Sequence, residues 1–288
     1  DIPVSEALDL ILGARFTWAQ ADADRVQDPE TGDVISIEED FSSLVGSARF
    51  LYRVDEDNHW HLFGGVSQGF RAPNLSDLTR LDTARSDEIE TPSPGLDPEE
   101  FIAYEIGLKT RYDNLSAQAA YYYTDIDDMI IRQPTGDIVE SANEVTKRNA
   151  GDGFIHGVEV QASWRFHSNF TAFGSFSWLD GEIDTFPTSD PVMVREPISR
   201  LMPMMGQIGL RFDSARRDVW IEALLTLADE QDDLSTRDAG DDQRIPPGGT
   251  PGYAVLTFRG GWEINDNLAL TAAVENVTDE NYRVHGSG

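Results

Sequence analysis

Apolar residues recur at every second position through eleven separate segments of this chain. In the first, Leu8, Leu10, Leu12, Ala14, Phe16 and Trp18 fall on one side, and Asp9, Ile11, Gly13, Arg15 and Thr17 on the other. A period of two is the signature of a strand with two unlike faces. The same rhythm returns at about 42–54, 60–66, 100–112, 115–124, 158–166, 170–178, 204–212, 219–227, 256–262 and 268–274. No run of 18 apolar residues occurs, so a membrane-spanning helix is excluded. A membrane-spanning strand needs only about ten alternating residues.

The connections alternate as well. Tight turns at 55–58, 113–114, 167–169, 214–217 and 265–267 trade places with long acidic loops at 21–40, 71–99, 131–151, 181–200 and 229–251. The first loop carries the breakers Pro29 and Gly32. An up-and-down barrel that crosses a membrane has this pattern, with short turns on one side and long loops on the other. Seven aromatic residues, Tyr52, Trp60, Tyr112, Phe166, Phe170, Phe212 and Trp262, stand beside the short turns on the apolar face. Amphipathic rings at headgroup depth form such a girdle. The opposite face mixes Arg, Lys, Glu, Gln and Ser with small residues, as a wide barrel would line its lumen. The competing reading is a soluble or surface-displayed β-protein that binds a ligand, in which that polar face meets water.

Charge narrows the partners. The chain has 22 basic and 52 acidic residues, a net charge of −30. That field repels phosphate backbones and argues against nucleic acid. It mildly favours cationic or metal-bearing cargo. With no cysteine, disulfides and thiolate metal sites are excluded.

Several short motifs resemble one family, the TonB-dependent outer-membrane receptors. They are Gly69-Phe70-Arg71-Ala72-Pro73, then Ser93-Pro94-Gly95-Leu96-Asp97-Pro98-Glu99-Glu100 leading into Tyr104-Glu105-Ile106-Gly107-Leu108-Lys109. Gly157-Val158-Glu159 and the terminal Val274-Glu275-Asn276-Val277-Thr278-Asp279-Glu280-Asn281-Tyr282-Arg283 follow in the same order. The resemblance implies an all-β, antiparallel, up-and-down transmembrane barrel of 22 strands, of which the eleven here would be strands 11 to 21. A closed bacterial barrel needs an even strand number, so eleven should leave the sheet open. The expectation is a C-terminal barrel portion whose plug, first ten strands and last strand lie outside residues 1–288. Asp1-Ile2-Pro3 carries no signal peptide, as a processed or truncated chain would read. The resemblance further implies a receptor in the bacterial outer membrane for an iron–siderophore, haem or cobalamin, energised through TonB. Its partners would be outer-membrane lipid, the N-terminal half of the barrel with its plug, TonB and a small nutrient. Haem receptors of this family carry a His between the two boxes; residues 72–98 contain none.

Candidate site residues sit where strand meets long loop, because loops on rigid scaffolds carry binding groups. They are Arg71, Asn74, Asp77 and Arg80. Arg71 reads either as a ligand contact or as an ion pair that holds the loop, and the second is favoured. Asn74 can cap a short helix. Gly65-Val66-Ser67-Gln68-Gly69 matches the nucleophile elbow G-x-S-x-G and raises an outer-membrane hydrolase as an alternative. Alternation runs through Ser67 without the sharp strand-to-helix turn that chemistry needs, so no catalytic residue is expected. Asp125, Asp127 and Asp128, and also Asp22, Asp24, Asp28 and Glu30, are carboxylate clusters without the spacing of a calcium loop. Loop Ca²⁺ is the one cofactor they leave open. The five histidines, His59, His61, His156, His167 and His285, show no metal-binding spacing on a helix.

Overall fold

The computed structural model describes residues 2–27, 31–85, 87–216 and 218–287. Pro29, Asp28, Glu30, the turn residue Arg217 and the terminal Asp1 and Gly288 therefore lie outside the described residues. Among the described residues, fifteen strands and two short helices follow one another: β1 (Ile2–Pro3), β2 (Leu8–Gln27), β3 (Val34–Arg53), β4 (Trp60–Arg71), α1 (Leu75–Thr79), β5 (Asp82–Arg85), β6 (Glu88–Glu90) and β7 (Glu99–Arg111). The second half holds β8 (Leu115–Val139), β9 (Ala142–His167), β10 (Phe170–Thr185), β11 (Val194–Pro197), β12 (Met205–Asp213), β13 (Val219–Ala228), α2 (Thr236–Ala239), β14 (Tyr253–Asn265) and β15 (Leu268–Val274).

Eleven long strands, β2, β3, β4, β7 to β10 and β12 to β15, join as consecutive antiparallel neighbours in one sheet. Among the described residues, β15 pairs with β14 and β2 with β1 and β3; β2 and β15 do not meet. The sheet is a partial barrel and does not close on itself. Of the other four strands, β1 lies on β2, and β5, β6 and β11 are short pieces of the long loops, with β6 laid parallel on β9.

Register carries each alternating pattern straight across the sheet. Leu8 faces Tyr52, Leu62 faces Leu108, Tyr121 faces Val158 and Ile208 faces Leu225. Along these alternating segments one face is therefore apolar, and its side chains stand exposed: Phe16, Leu44, Tyr104, Trp164, Ile208, Ile221 and Val274 among them. The polar faces of β4, β7, β8, β9, β10 and β12 line one hollow, with His61, Lys109, Gln118, Gln161, Ser175 and Gln207 on its wall. That face is the concave one. Cross-strand aromatic–glycine pairs tighten it: Phe63 with Gly107, Tyr122 with Gly157, Phe173 with Gly209 and Trp220 with Gly261. A Cβ on any of these glycines would overlap the ring beside it.

Two expected loops are instead mostly strand. β2 and β3 continue as a hairpin past Trp18 and Ser42, and β8 and β9 run on to Val139 and Ala142. In the first hairpin the alternation survives with its polarity inverted. Gln20, Asp22, Glu38 and Asp40 continue the outward face, while Ala21, Ile37 and Phe41 are buried on the inner side. They pack with Val26, Leu78, Leu96 and Ile130 into the larger buried cluster of the molecule. A protein with a soluble core would bury the middle of its sheet. Here the buried cluster lies at the long-loop end, where the chain folds inward over the hollow.

Candidate functional site

Arg71 ends β4 and Glu99 begins β7, directly opposite each other in register. The guanidinium grips that carboxylate in two places, Nε to Oε2 at 2.5 Å and Nη2 to Oε1 at 2.6 Å. Its third nitrogen, Nη1, donates to Asp77 Oδ2 at 2.7 Å. Asp77 in turn accepts from the Asn74 peptide N–H at 3.1 Å, and the Asn74 side chain accepts from the Asp77 N–H, also at 3.1 Å. This reciprocal capping box starts α1 one residue after the corner. The Phe-Arg-Ala-Pro-Asn corner thus turns the strand into a capped helix and ties that helix back to the sheet.

The network reaches further than the sequence suggested. Lys147 Nζ lies 2.9 Å from Asp77 Oδ1 and 3.4 Å from Glu90 Oε1. Glu90 is fully buried and also takes Arg132 Nε at 2.6 Å, with Arg80 Nε at 3.7 Å. Glu99 additionally accepts the Ile130 N–H at 2.9 Å. Three buried carboxylates, Asp77, Glu90 and Glu99, are therefore answered by Arg71, Lys147, Arg132 and Arg80. Burial pushes the Asp77 carboxyl up, but the hydrogen bonds from Lys147 and Arg71 outweigh it and hold the group below its ordinary value. Buried charges persist only when paired and hydrogen-bonded, and each of these is. All four sequence candidates, Arg71, Asn74, Asp77 and Arg80, belong to this one assembly. Glu90, Lys147 and Arg132 were missed because no local pattern links them to the corner, from which they are distant in sequence; Glu99 was in view, in the Pro-Glu-Glu box.

Other candidates sit apart. Ser67 lies within β4, in register with Ser47 and Ala103, and the next helix opens only at Leu75. It is a strand serine on the concave face and not an elbow. Asp127 is raised by burial first and then by repulsion from Asp125, Asp152 and Asp128. Among the described residues, the carboxylate and imidazole atoms close enough to share an ion are those of Asp55, Asp57 and His59 on a tight turn. Asp55 is already engaged there, accepting the peptide N–H groups of Trp60 at 2.7 Å and His59 at 3.2 Å.

The seven aromatic residues beside the short turns do reach one edge of the sheet. Trp60 donates to the Tyr112 hydroxyl at 3.0 Å. Phe166, Phe170 and Phe212 form a line, with ring centroids 6.1 and 5.2 Å apart. Tyr52 and Trp262 stand exposed on the same face.

The family model described as TonB dependent receptor-like, beta-barrel matches residues 1–277. The chain belongs to that family. It is accordingly a protein of the bacterial outer membrane, in a family of receptors and transporters and not of enzymes, which removes the soluble and hydrolase readings. The pesticin receptor of Yersinia enterocolitica is 25% identical over 251 residues, spanning 84% of this chain and 32% of that protein. This chain thus spans about a third of the length of the curated relatives it matches. Among solved structures, the ferric yersiniabactin uptake receptor FyuA from Yersinia pestis aligns over 98% of this chain and 40% of its own, with a TM-score of 0.65 and 18% identity. The Serratia marcescens hemophore receptor HasR, solved with its hemophore HasA and heme, covers 98% of this chain and 47% of its own, with a TM-score of 0.72 and 17% identity. These likenesses show the fold. In a family of this kind the exposed apolar face is the lipid face. On β2 it runs from Leu8 to the polarity inversion after Trp18. Eleven residues at about 3.3 Å each, tilted about 40°, rise roughly 27 Å, close to the apolar band of an outer-membrane barrel.

Proposed function

We propose that this chain is the C-terminal part of the barrel of an active-transport receptor for a scarce nutrient of the iron–siderophore, haem or cobalamin class, energised through TonB. The observation that supports the reading is the family match over nearly the whole chain, joined to a sheet in which, among the described residues, β2 carries only the two-residue β1 on its outer side and β15 has no strand beyond it. An edge left open in hydrocarbon strands backbone N–H and C=O groups at several kcal/mol each. β2 with β1, and β15, therefore pair with further strands of the same barrel, and the hollow lined by Lys109, Gln118 and Gln161 receives a plug. Tyr52, Trp60, Tyr112, Phe166, Phe170, Phe212 and Trp262 form the girdle at the short-turn interface, and the long loops face outward. Arg71, Asn74, Asp77 and Arg80 hold the first inward-folded loop at the mouth. The relatives named for ferric yersiniabactin uptake and for heme support the nutrient class.

The test is uptake of radiolabelled ferric siderophores, heme and cobalamin by cells that carry the receptor containing this chain, with and without an uncoupler. Accumulation of one of them that stops when the proton-motive force collapses supports the proposal. Energy-independent passage of all three at equal rates contradicts it.

A further inference from the structure

Of the five histidines, only His285 is buried, at 6% exposure. It stands on a tight turn, Val284-His285-Gly286-Ser287, which the Ser287 N–H closes onto the Val284 carbonyl at 3.1 Å. Gly286 takes a φ of 71° there, the left-handed conformation that favours glycine at the third position of such a turn. The turn carries the imidazole into a junction of three other segments. From the loop 229–251 comes the buried Thr250, whose hydroxyl shares a hydrogen bond of 2.9 Å with His285 Nδ1. Thr250 is itself fixed by two reciprocal backbone bonds to Gln231, each 2.9 Å. From α2 comes the buried Asp238 carboxylate, and from the β11–β12 connection comes Arg200, against which Gly286 packs. Next to His285 on its own segment, Arg283 Nη1 donates to the carbonyls of Gln243 and Arg244 at 3.3 Å each, and the Tyr282 ring lies 4.6 Å from that of Tyr253.

The junction suits a neutral ring and not a charged one. Asp238 favours the imidazolium, but its two oxygens already accept from the Ser199 hydroxyl and the Arg200 N–H, each at 2.7 Å. Arg200 opposes the imidazolium, and Asp241, which pairs with the Arg200 guanidinium at 3.3 Å, is shared with Arg244. Burial is the largest influence, and it holds His285 below the ordinary histidine value of 6.5. We propose that His285 is an acid-released latch: as a neutral imidazole it pins the turn 284–287 between the loop 229–251, α2 and the β11–β12 connection, and as an imidazolium it withdraws to water and frees that turn. The proposal goes beyond the receptor reading, because it concerns how the long loops are held together and not what they admit. A histidine depressed in the docked state contributes stability that is fully present above 6.5 and is lost as pH falls below it. Within that window each unit of pH raises the undocked fraction by up to about tenfold.

The test uses the receptor containing this chain in lipid bilayers, with one nitroxide on a cysteine placed at the exposed Asn281. Its spectrum should show an immobilised label near neutral pH and a mobile component that grows as pH is lowered from about 6.5 to about 5, reversibly. His285→Gln, uncharged throughout and still able to bond Thr250, should stay docked over the whole range. His285→Arg, charged throughout, should be mobile even at neutral pH. Thr250→Val should loosen the turn at every pH and leave the acid response in place. A label at Asp266, on a tight turn at the opposite end of the sheet, should not respond. Heat-modifiable migration of each variant verifies that the barrel has formed. A label at Asn281 that is equally immobile near neutrality and at about pH 5 would overturn the proposal. So would an acid response that persists in His285→Gln, or one that the Asp266 label shares.

Discussion

Replacing Arg71 by Gln removes the one cation that Glu99 holds bidentately and one of two that hold Asp77. Stripping the partner from a buried ion pair costs about 3–5 kcal/mol. Two features reduce that here. Arg71 is itself 40% exposed, so water partly replaces it; and Glu99 keeps the Ile130 N–H while Asp77 keeps Lys147. The expected loss is about 2–3 kcal/mol, confined to the inward-folded loop 72–98. At 1.4 kcal/mol per tenfold, its opening equilibrium rises roughly 30- to 140-fold. Hydrogen exchange read by mass spectrometry on the detergent-solubilised receptor reports this directly. The Ser93 N–H, bonded to Leu78 O at 2.9 Å, and the Thr91 N–H, bonded to Val145 O at 3.0 Å, should exchange faster by about that factor. Amides of β12 and β13 should not change. Adding Glu99→Gln to Arg71→Gln removes the stranded charge and should restore part of the protection. Exchange in 72–98 indistinguishable from wild type, or faster everywhere, would refute the claim that Arg71 anchors this loop.

Three further outcomes follow from the same geometry. Because the Asp77 carboxyl is depressed in the folded state, it contributes stability above its ordinary value of 3.8 and loses it as pH falls below; protection of the Ser93 amide should hold from neutrality to about pH 4 and decline under more acidic conditions. Gly107→Val places a branched side chain where the Phe63 ring and the Ala119 carbonyl already lie, and should prevent formation of a heat-modifiable barrel, whereas Gly69→Ala, with only ordinary contacts to Phe101, should assemble normally. Ile208→Arg, at the middle of the apolar face and 63% exposed, should destabilise the barrel by about 2–4 kcal/mol in denaturant titrations in lipid, while Gln207→Arg next to it on the concave face should cost less than about 1 kcal/mol.

Much of the architecture is legible in the residues because hydrocarbon on one side and a polar hollow on the other impose a period of two that little else imitates. Eleven segments, their antiparallel order and the open sheet all follow from it. The stretches 21–40 and 131–151 were misread for two different reasons. In 21–40, acidic residues fill the outward face beyond the apolar band, and acidic composition reads as loop; the apolar residues had only changed sides, to Ala21, Ile37 and Phe41. Ahead of and within 131–151, register shifts between Ile126 and Ile130 and between Pro134 and Ile138 interrupt the period. The candidate site was legible as a corner, since Arg71, Asn74 and Asp77 lie within seven residues. Its far side was not. Lys147 comes 70 positions after Asp77 and Arg132 comes 42 after Glu90, and no local pattern links charges that only the folded loop brings together.

The central claim is that one face of this sheet meets lipid and the other a polar interior. The chain contributes no cysteine of its own, so single thiols introduced at Ile208, Leu210 and Leu225, and at Gln207, Ser175 and Thr226, can each carry a nitroxide label. In membranes, the first three labels should relax strongly with dissolved oxygen and weakly with a water-soluble nickel chelate, and the second three should not show that lipid signature. Equal exposure of both sets to the nickel reagent, or protection of the first set from oxygen, would contradict the account.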